Sequence, residues 1–268
     1  MENDMITINS SSNDHVKRIA ALMDKAKQRR KEGCFIVEGI KMFREIPRGD
    51  LDSVYLSETF VKDNNDVVKE IESNASGKCF CLSDSLFKKI SGTVTPQGVL
   101  AIVRQKKYSL EQVMSTMHSG RNCFVVLDRI QDPGNLGTIV RTGEGAGING
   151  VIMSDTTVDI YNPKVIRSTM GSIFRVPFCI VESLPEAVEE LKKAGVTAYA
   201  AHLKGESYNK EAFPDKTALL IGNEANGLSD EVASKADRLI KIPMQGKVES
   251  LNAAIATAIL MYQVEAGR

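Results

Sequence analysis

"LDRIQDPGNLGTIVRTGEGAGING", residues 127–150, is the stretch on which the fold turns. It closes in "GAGING" (145–150), the G-x-G-x-x-G spacing that wraps a backbone around the pyrophosphate of NAD or FAD. Such a fingerprint has to follow a strand and open a helix. Here the order is reversed. "CFVVLD" (123–128) is the apolar run of a strand, Asp132-Pro133-Gly134 is a turn by composition, and a helix begins near Asn135. The glycines close that helix, so Gly145 and Gly147 read as C-cap residues ahead of a strand at Val151. An NAD-dependent oxidoreductase stays a rival reading that nicotinamide binding would revive.

"GNEANGLS" (222–229) is a second near-motif. It has the G-x-x-x-x-G of a phosphate-binding loop, but Leu228 stands where a lysine holds the β- and γ-phosphates. ATP or GTP binding is disfavoured. What remains is a glycine-flexed loop with one carboxylate, Glu224.

Around these loops the second half of the chain is regular. Strands are predicted at 123–128, 150–153, 196–201, 218–222 and 238–243, with helices between them. Most are continuous apolar runs, as expected when both faces of a sheet are covered. Strands alternating with helices predict an α/β fold with a mostly parallel sheet. Such sheets bind ligands at the carboxyl ends of their strands, where three loops carry polar side chains. The first presents Asn135 and Arg141, about 120° apart on one helix; their plain reading is an N-cap and a surface arginine. The second presents Glu224. The third, "IPMQGKVESLNAAIATAI" (242–259), places Ser250 at an N-cap position and Asn252 in the first turn. The last helix, 250–265, has Leu251, Ala254, Ile255, Ala258, Ile259 and Tyr262 on one stripe.

The first hundred residues form a compact α/β unit by pattern, with strands at 34–39, 51–56, 78–82 and 98–103 and helices at 65–72 and 84–90. Three segments follow from this: a domain over 1–105, a polar linker with a short helix over 106–121, and a second domain over 122–268. The segment 15–33 is basic and has helical periodicity, with Lys17, Arg18, Arg29 and Arg30 among its cations. It reads as a solvated helix face or as a patch for RNA phosphates, which basic side chains bind largely without regard to sequence.

The bulk composition narrows the class. Lys plus Arg and Asp plus Glu both number 34, so charge alone does not make the whole chain a nucleic-acid binder. With 43% apolar and 25% charged residues and no apolar run near ~20 residues, a soluble, cytoplasmic protein without a membrane span is expected. Five cysteines without a CxxC pair argue against a disulfide framework, and three scattered histidines against a metal site.

Taken together, "DPGNLGTIVRTGEGAGI", "GNEANGLS" and "IPMQGKVESLNAAIATAI" resemble the SpoU (TrmH) family of RNA ribose 2′-O-methyltransferases, in the SPOUT class. The likeness covers about residues 120–266, and "NPKVIRSTMGSIFRVPF" (162–178) is similar to the family's middle segment. Many relatives have glycine where Ala225 stands. The resemblance implies a C-terminal trefoil-knotted, mostly parallel sheet flanked by helices, and an N-terminal, ribosomal-protein-like α/β/α substrate-binding domain. It implies S-adenosyl-L-methionine as cofactor, held at Leu220, Gly222, Asn223, Ile242, Met244, Ser250 and Leu251. It implies catalysis centred on Arg141 with Asn135, Glu224, Ser250 and Asn252 around it, and a homodimer through the C-terminal domain. Arg167 reads as a further RNA contact or equally as a helix-surface salt bridge. Ribosomal RNA is the first substrate choice and tRNA the second. A catalytically inactive RNA-binding relative is the alternative from another class.

Overall fold

The computed structural model describes residues 5–75 and 77–266. The chain divides into two compact units, Met1–Lys106 with Tyr161–Phe174, and Lys107–Ile160 with Arg175–Arg268.

In the first unit the order is β1 (Ile6–Ile8), α1 (Asp14–Asp24), α2 (Ala26–Glu32), β2 (Cys34–Glu38), α3 (Ile40–Arg44), β3 (Leu51–Ser57), α4 (Glu58–Asp63), α5 (Asn65–Ala75), β4 (Cys79–Leu82), α6 (Asp84–Ile90) and β5 (Val99–Arg104). The sheet order is β1-β4-β3-β5-β2. β5 runs antiparallel to both neighbours and the remaining pairs are parallel. The four strands expected from the sequence are present. β1 has too few residues to show a period of two. The basic segment forms two helices, because Lys25 adopts an extended φ of −115° between them.

The second unit contains α7 (Leu110–Met114), β6 (Asn122–Leu127), α8 (Pro133–Gly145) and β7 (Gly150–Ser154). The chain then forms α9 (Pro163–Thr169), which packs on β2 within the first unit, where Phe35 meets the ring of Tyr161 at 4.7 Å. It returns to the second unit for β8 (Phe178–Val181), α10 (Leu184–Lys193), β9 (Thr197–Ser207), β10 (Lys216–Ile221), α11 (Asp230–Ala233), β11 (Arg238–Lys241) and α12 (Ala253–Ala266). Two stretches thus sit differently from the segmentation by pattern. Residues 161–174 cluster with the first unit, and α7 in the expected linker buries Val113 completely in the second unit's core.

The second sheet has the order β11-β9-β10-β6-β7-β8, and every pair is parallel. β6 is buried at all six positions. Phe124 and Val126 face a core with Leu184, Val188 and Leu191 of α10, while α12 packs on β10 and α8. That double covering is why the strands lack alternation. "GAGING" is a helix exit: α8 ends at Gly145, Gly147 turns left-handed at φ 70°, and β7 starts at Gly150.

Two expected caps move. Asp132, not Asn135, caps α8, accepting from the Asn135 backbone N–H at 2.8 Å with Pro133 in the first turn. Asn252, not Ser250, caps α12, accepting from the N–H groups of Ala254 (2.9 Å) and Ile255 (3.3 Å). The face of α12 also differs. Its buried residues are Ala253, Ala254, Thr257, Leu260, Met261 and Val264, whereas Ile255 and Tyr262 of the expected stripe are each 51% exposed. The helix is apolar nearly all round, so periodicity could not single out the core-facing side.

Candidate functional site

The carboxyl ends of β6 and β10 lie side by side, since Leu127 pairs with Ile221. The loops leaving them are stitched together by side chains. Asp128, 4% exposed, accepts from the Ser229 N–H at 2.7 Å. Asn223 donates from Nδ2 to the Arg129 carbonyl at 2.8 Å, while its Oδ1 accepts from the N–H groups of Ala225 and Asn226. Glu224 accepts from the N–H groups of Gln131 and Asp132, both at 3.3 Å, and from Asn135 Nδ2 at 2.9 Å.

The third loop joins through Asn135. Asn252 donates from Nδ2 to Asn135 Oδ1 at 2.9 Å. Glu224, Asn135 and Asn252 therefore form one hydrogen-bonded chain across three loops. Asn135, buried to 8% exposure, is fixed as donor to Glu224 and acceptor from Asn252. Arg141 lies six residues further along α8, ~9 Å up the helix axis at ~1.5 Å per residue. It is exposed and has no hydrogen bond or ion pair among the described residues. Ser250 is exposed and likewise unbonded. Of the five residues expected to act together, the structure bonds three and leaves two open.

The protonation state of Glu224 follows from its surroundings. Burial alone would push its carboxyl up. Hydrogen bonds from Asn135, its own backbone N–H, Gln131 and Asp132 outweigh that and hold it below the ordinary carboxylate value. It is an anionic anchor at neutral pH, not a proton acceptor tuned toward 7. A folded-state value below the unfolded one adds stability at pH above the unfolded value, about 4.3, and loses it as pH falls through the folded value. Glu224→Gln should thus melt below wild type at pH 7, and thermal melts should show the gap closing as the wild-type carboxyl protonates in acid.

Gly222 shapes the second loop. A Cβ there would collide with the backbone of Gly227 and Leu228, and Gly227 itself is left-handed at φ 67°. The loop folds back on Gly222 and closes with reciprocal backbone bonds between Asn223 and Gly227, at 3.0 and 2.9 Å. Leu220 is fully buried in the sheet and offers only backbone, whereas Ile242, Met244 and Leu251 are half-buried. Among the described residues, positions 242–251 make no hydrogen bond, so that loop's polar backbone is open to water or a ligand.

The cations of the first unit are not equivalent. Arg29 is 2% exposed and donates from Nη1 to the carbonyls of Leu22 (2.7 Å) and Met23 (3.0 Å), capping the carboxyl end of α1. Arg18 is engaged by Glu32 at 2.7 Å and Asp52 at 2.8 Å. Both were expected as RNA contacts, and the structure gives them intramolecular partners instead. Lys17 has a weak exposed pair with Asp14 at 3.3 Å. Arg30 is exposed, Arg167 is half-buried, and neither has a partner among the described residues. Arg29→Met should destabilise the protein by about 1–3 kcal/mol, because two carbonyls lose their donor, and should leave RNA affinity unchanged. Urea denaturation and RNA binding check it; weaker RNA binding at unchanged stability would reverse the assignment.

Sequence reasoning missed Asp128, Asp132 and the bracing role of Asn223. Asp132 had a local signal, an Asp directly before proline at a helix start. Asp128 and Asn223 had none, because their partners lie 101 and 94 positions away.

Comparison with known proteins gives a consistent picture. Residues 122–262 match the sequence model of the SpoU rRNA methylase family, and residues 13–101 match an MRM3-like substrate binding domain. The chain is 33% identical to the Bacillus subtilis 23S rRNA (guanosine(2553)-2′-O)-methyltransferase RlmP, over 97% of this chain and 99% of that protein. It is similar to the crystal structure of an AdoMet-bound rRNA methyltransferase from Sinorhizobium meliloti, with TM-score 0.84, 30% identity and 98% of each chain covered. It is also similar to the SpoU methyltransferase AviRb from Streptomyces viridochromogenes in complex with AdoMet, with TM-score 0.85, 26% identity, and 95% of this chain and 97% of that one covered.

Proposed function

This chain belongs to the SpoU rRNA methylase family, and from that premise we propose that it uses S-adenosyl-L-methionine to methylate a ribose 2′-hydroxyl of ribosomal RNA. The observation that carries the reading is the Glu224–Asn135–Asn252 chain at the start of α8, the helix whose Arg141 has no partner among the described residues. An inactive RNA-binding relative has no need of it.

The cofactor supplies an electrophilic methyl group on sulfur. The residues present fit such a ligand. The tight turn at Gly222, the open backbone of 242–251 and the half-buried Ile242, Met244 and Leu251 offer backbone polar groups beside apolar surface. Leu220, Asn223 and Ser250 complete the proposed contact set. Alignment of the hydroxyl with the methyl carbon can contribute several kcal/mol, with ~7–11 kcal/mol as the upper range. A guanidinium is not a base in proteins, so as the oxygen bonds the methyl carbon and the carbon–sulfur bond breaks, the hydroxyl proton passes to solvent water and not to Arg141. Its guanidinium clamps an RNA phosphate or stabilises the developing alkoxide, while Asn135, Glu224, Ser250 and Asn252 orient the incoming ribose.

Three finer readings accompany this. First, α12 returns from the sheet edge at β11 to pack on β10 and α8, which supports threading of 242–252 as a trefoil knot. Second, the exposed Ile255 and Tyr262 on α12 support a homodimer through the C-terminal unit. Third, the first unit binds the RNA, with Arg30 and Arg167 as cations without a partner among the described residues and Lys17 held only by its exposed pair with Asp14. A ribosomal substrate supports a cytoplasmic location.

Calorimetric titration tests the cofactor. S-adenosylmethionine should bind and NADH should not; the reverse would revive the dinucleotide reading.

A further inference from the structure

Arg129 is strained. It and Met170 are the two non-glycine residues with positive φ among those described, Arg129 at 59°. Such a conformation persists only where the surroundings enforce it, and it concentrates at functional sites. Its backbone is enforced from both sides. Its N–H donates to Ser154 Oγ at 3.0 Å, and its carbonyl accepts from Asn223 Nδ2 at 2.8 Å and Gln131 Nε2 at 3.2 Å.

The strain has a geometric result. In a strand, successive side chains point to opposite faces, so Asp128 and Arg129 could not meet there. The left-handed turn directly after β6 swings Arg129 back. Its Nε and Nη2 reach Asp128 Oδ1 and Oδ2 at 3.1 and 3.4 Å. The buried Asp128 is in turn held by the Ser229 N–H at 2.7 Å. A planar guanidinium is thereby fixed along one edge. The other three of its five N–H donors have no partner among the described residues, and the side chain is 39% exposed. An oriented fork with a free edge is the geometry that recognises an oxyanion.

We propose that Arg129 is a substrate-binding residue whose free edge takes a phosphate oxygen of the RNA, with Asp128 as the positioning residue that aims it. The inference rests on the RNA methyltransferase reading. It goes beyond neutralisation of Asp128, because a glycine would take the same backbone turn without strain and Asp128 would keep the Ser229 amide. A carboxylate of the cofactor has the same oxyanion chemistry, so the test separates the two.

The test is Arg129→Gly in the full-length chain, compared with wild type and Arg129→Lys. Three quantities are measured: thermal midpoint, S-adenosylmethionine affinity, and affinity for a large-subunit rRNA fragment across a salt series. The glycine variant should melt at or above the wild-type midpoint and bind the cofactor unchanged. Its RNA affinity should fall about tenfold, and its slope of log affinity against log salt should shrink by about one, with partial recovery of both in the lysine variant. Unchanged RNA affinity and slope overturn the proposal. So does a loss confined to the cofactor, which would assign the edge to the cofactor's carboxylate. A lowered midpoint with RNA binding intact would make Arg129 a brace for Asp128 only. A wild type that fails to bind the RNA sinks the parent reading, whereas a binding wild type with an indifferent variant sinks only this one.

Discussion

Arg141→Ala slows single-turnover methyl transfer by about 10²–10³-fold, the range seen when one preorganised donor to developing charge is removed. Cofactor affinity stays at the wild-type value, because Arg141 bonds to none of the loops that shape the proposed cofactor site. RNA affinity falls less than the rate, by roughly the one phosphate contact that a single cation supplies. Arg141→Lys recovers part of the RNA affinity and less of the rate, since an ammonium lacks the planar fork. Unchanged chemistry in the alanine variant would remove Arg141 from the centre of the mechanism. A proportional loss of rate and RNA affinity would reduce it to a binding contact. The expectation is sharp because Arg141 has no partner to lose among the described residues, so its removal should leave the thermal midpoint unchanged.

Gly222→Ala abolishes cofactor binding, with affinity lowered by more than about 100-fold, equivalent to ~2.7 kcal/mol or more. The added Cβ meets backbone at Gly227 and Leu228, and no side-chain rotation relieves such a contact. The loop must open. When it does, Asn223 and Glu224 lose their register against Arg129, Gln131 and Asn135. Overpacking of this kind costs about 1–3 kcal/mol of stability as well. Calorimetric titration and a denaturant melt measure both effects. Wild-type cofactor affinity in this variant would show that the second loop is not part of the binding site. Ala225, two positions beyond Asn223 on the exposed part of the same loop, carries a Cβ already.

The particular residues show what local pattern carries. The strand–loop–helix context of 127–147 and 219–229 was readable because burial on both faces writes continuous apolar runs, and because Asp-Pro-Gly and glycine-rich stretches mark where strands end. That context alone turned "GAGING" from a pyrophosphate cradle into a helix exit. The caps were displaced by three and two residues, since Asp132, Asn135, Ser250 and Asn252 are all competent cap residues and only the fold selects between them. The buried face of α12 was unreadable because a helix without a polar side has no stripe to read. The fate of a cation was equally hidden. Arg29 and Arg30 are neighbours in sequence, yet one caps α1 with 2% exposure and the other is open to solvent. Nor does anything in 161–174 announce that it packs with the first unit, because its ring partner Phe35 lies more than a hundred residues away.

The chemistry proposed for this chain is methylation of a ribose hydroxyl in ribosomal RNA. The most direct test uses total RNA from cells lacking this protein, incubated with the purified enzyme and methyl-labelled S-adenosylmethionine, then hydrolysed in alkali. A 2′-O-methyl group blocks cleavage at its own phosphodiester. The label should therefore survive in alkali-resistant dinucleotides, and mapping should place it at one position of large-subunit ribosomal RNA. Label released in mononucleotides would mean a methylated base, and no incorporation into any RNA would mean an inactive relative; either result would overturn ribose methylation as the activity.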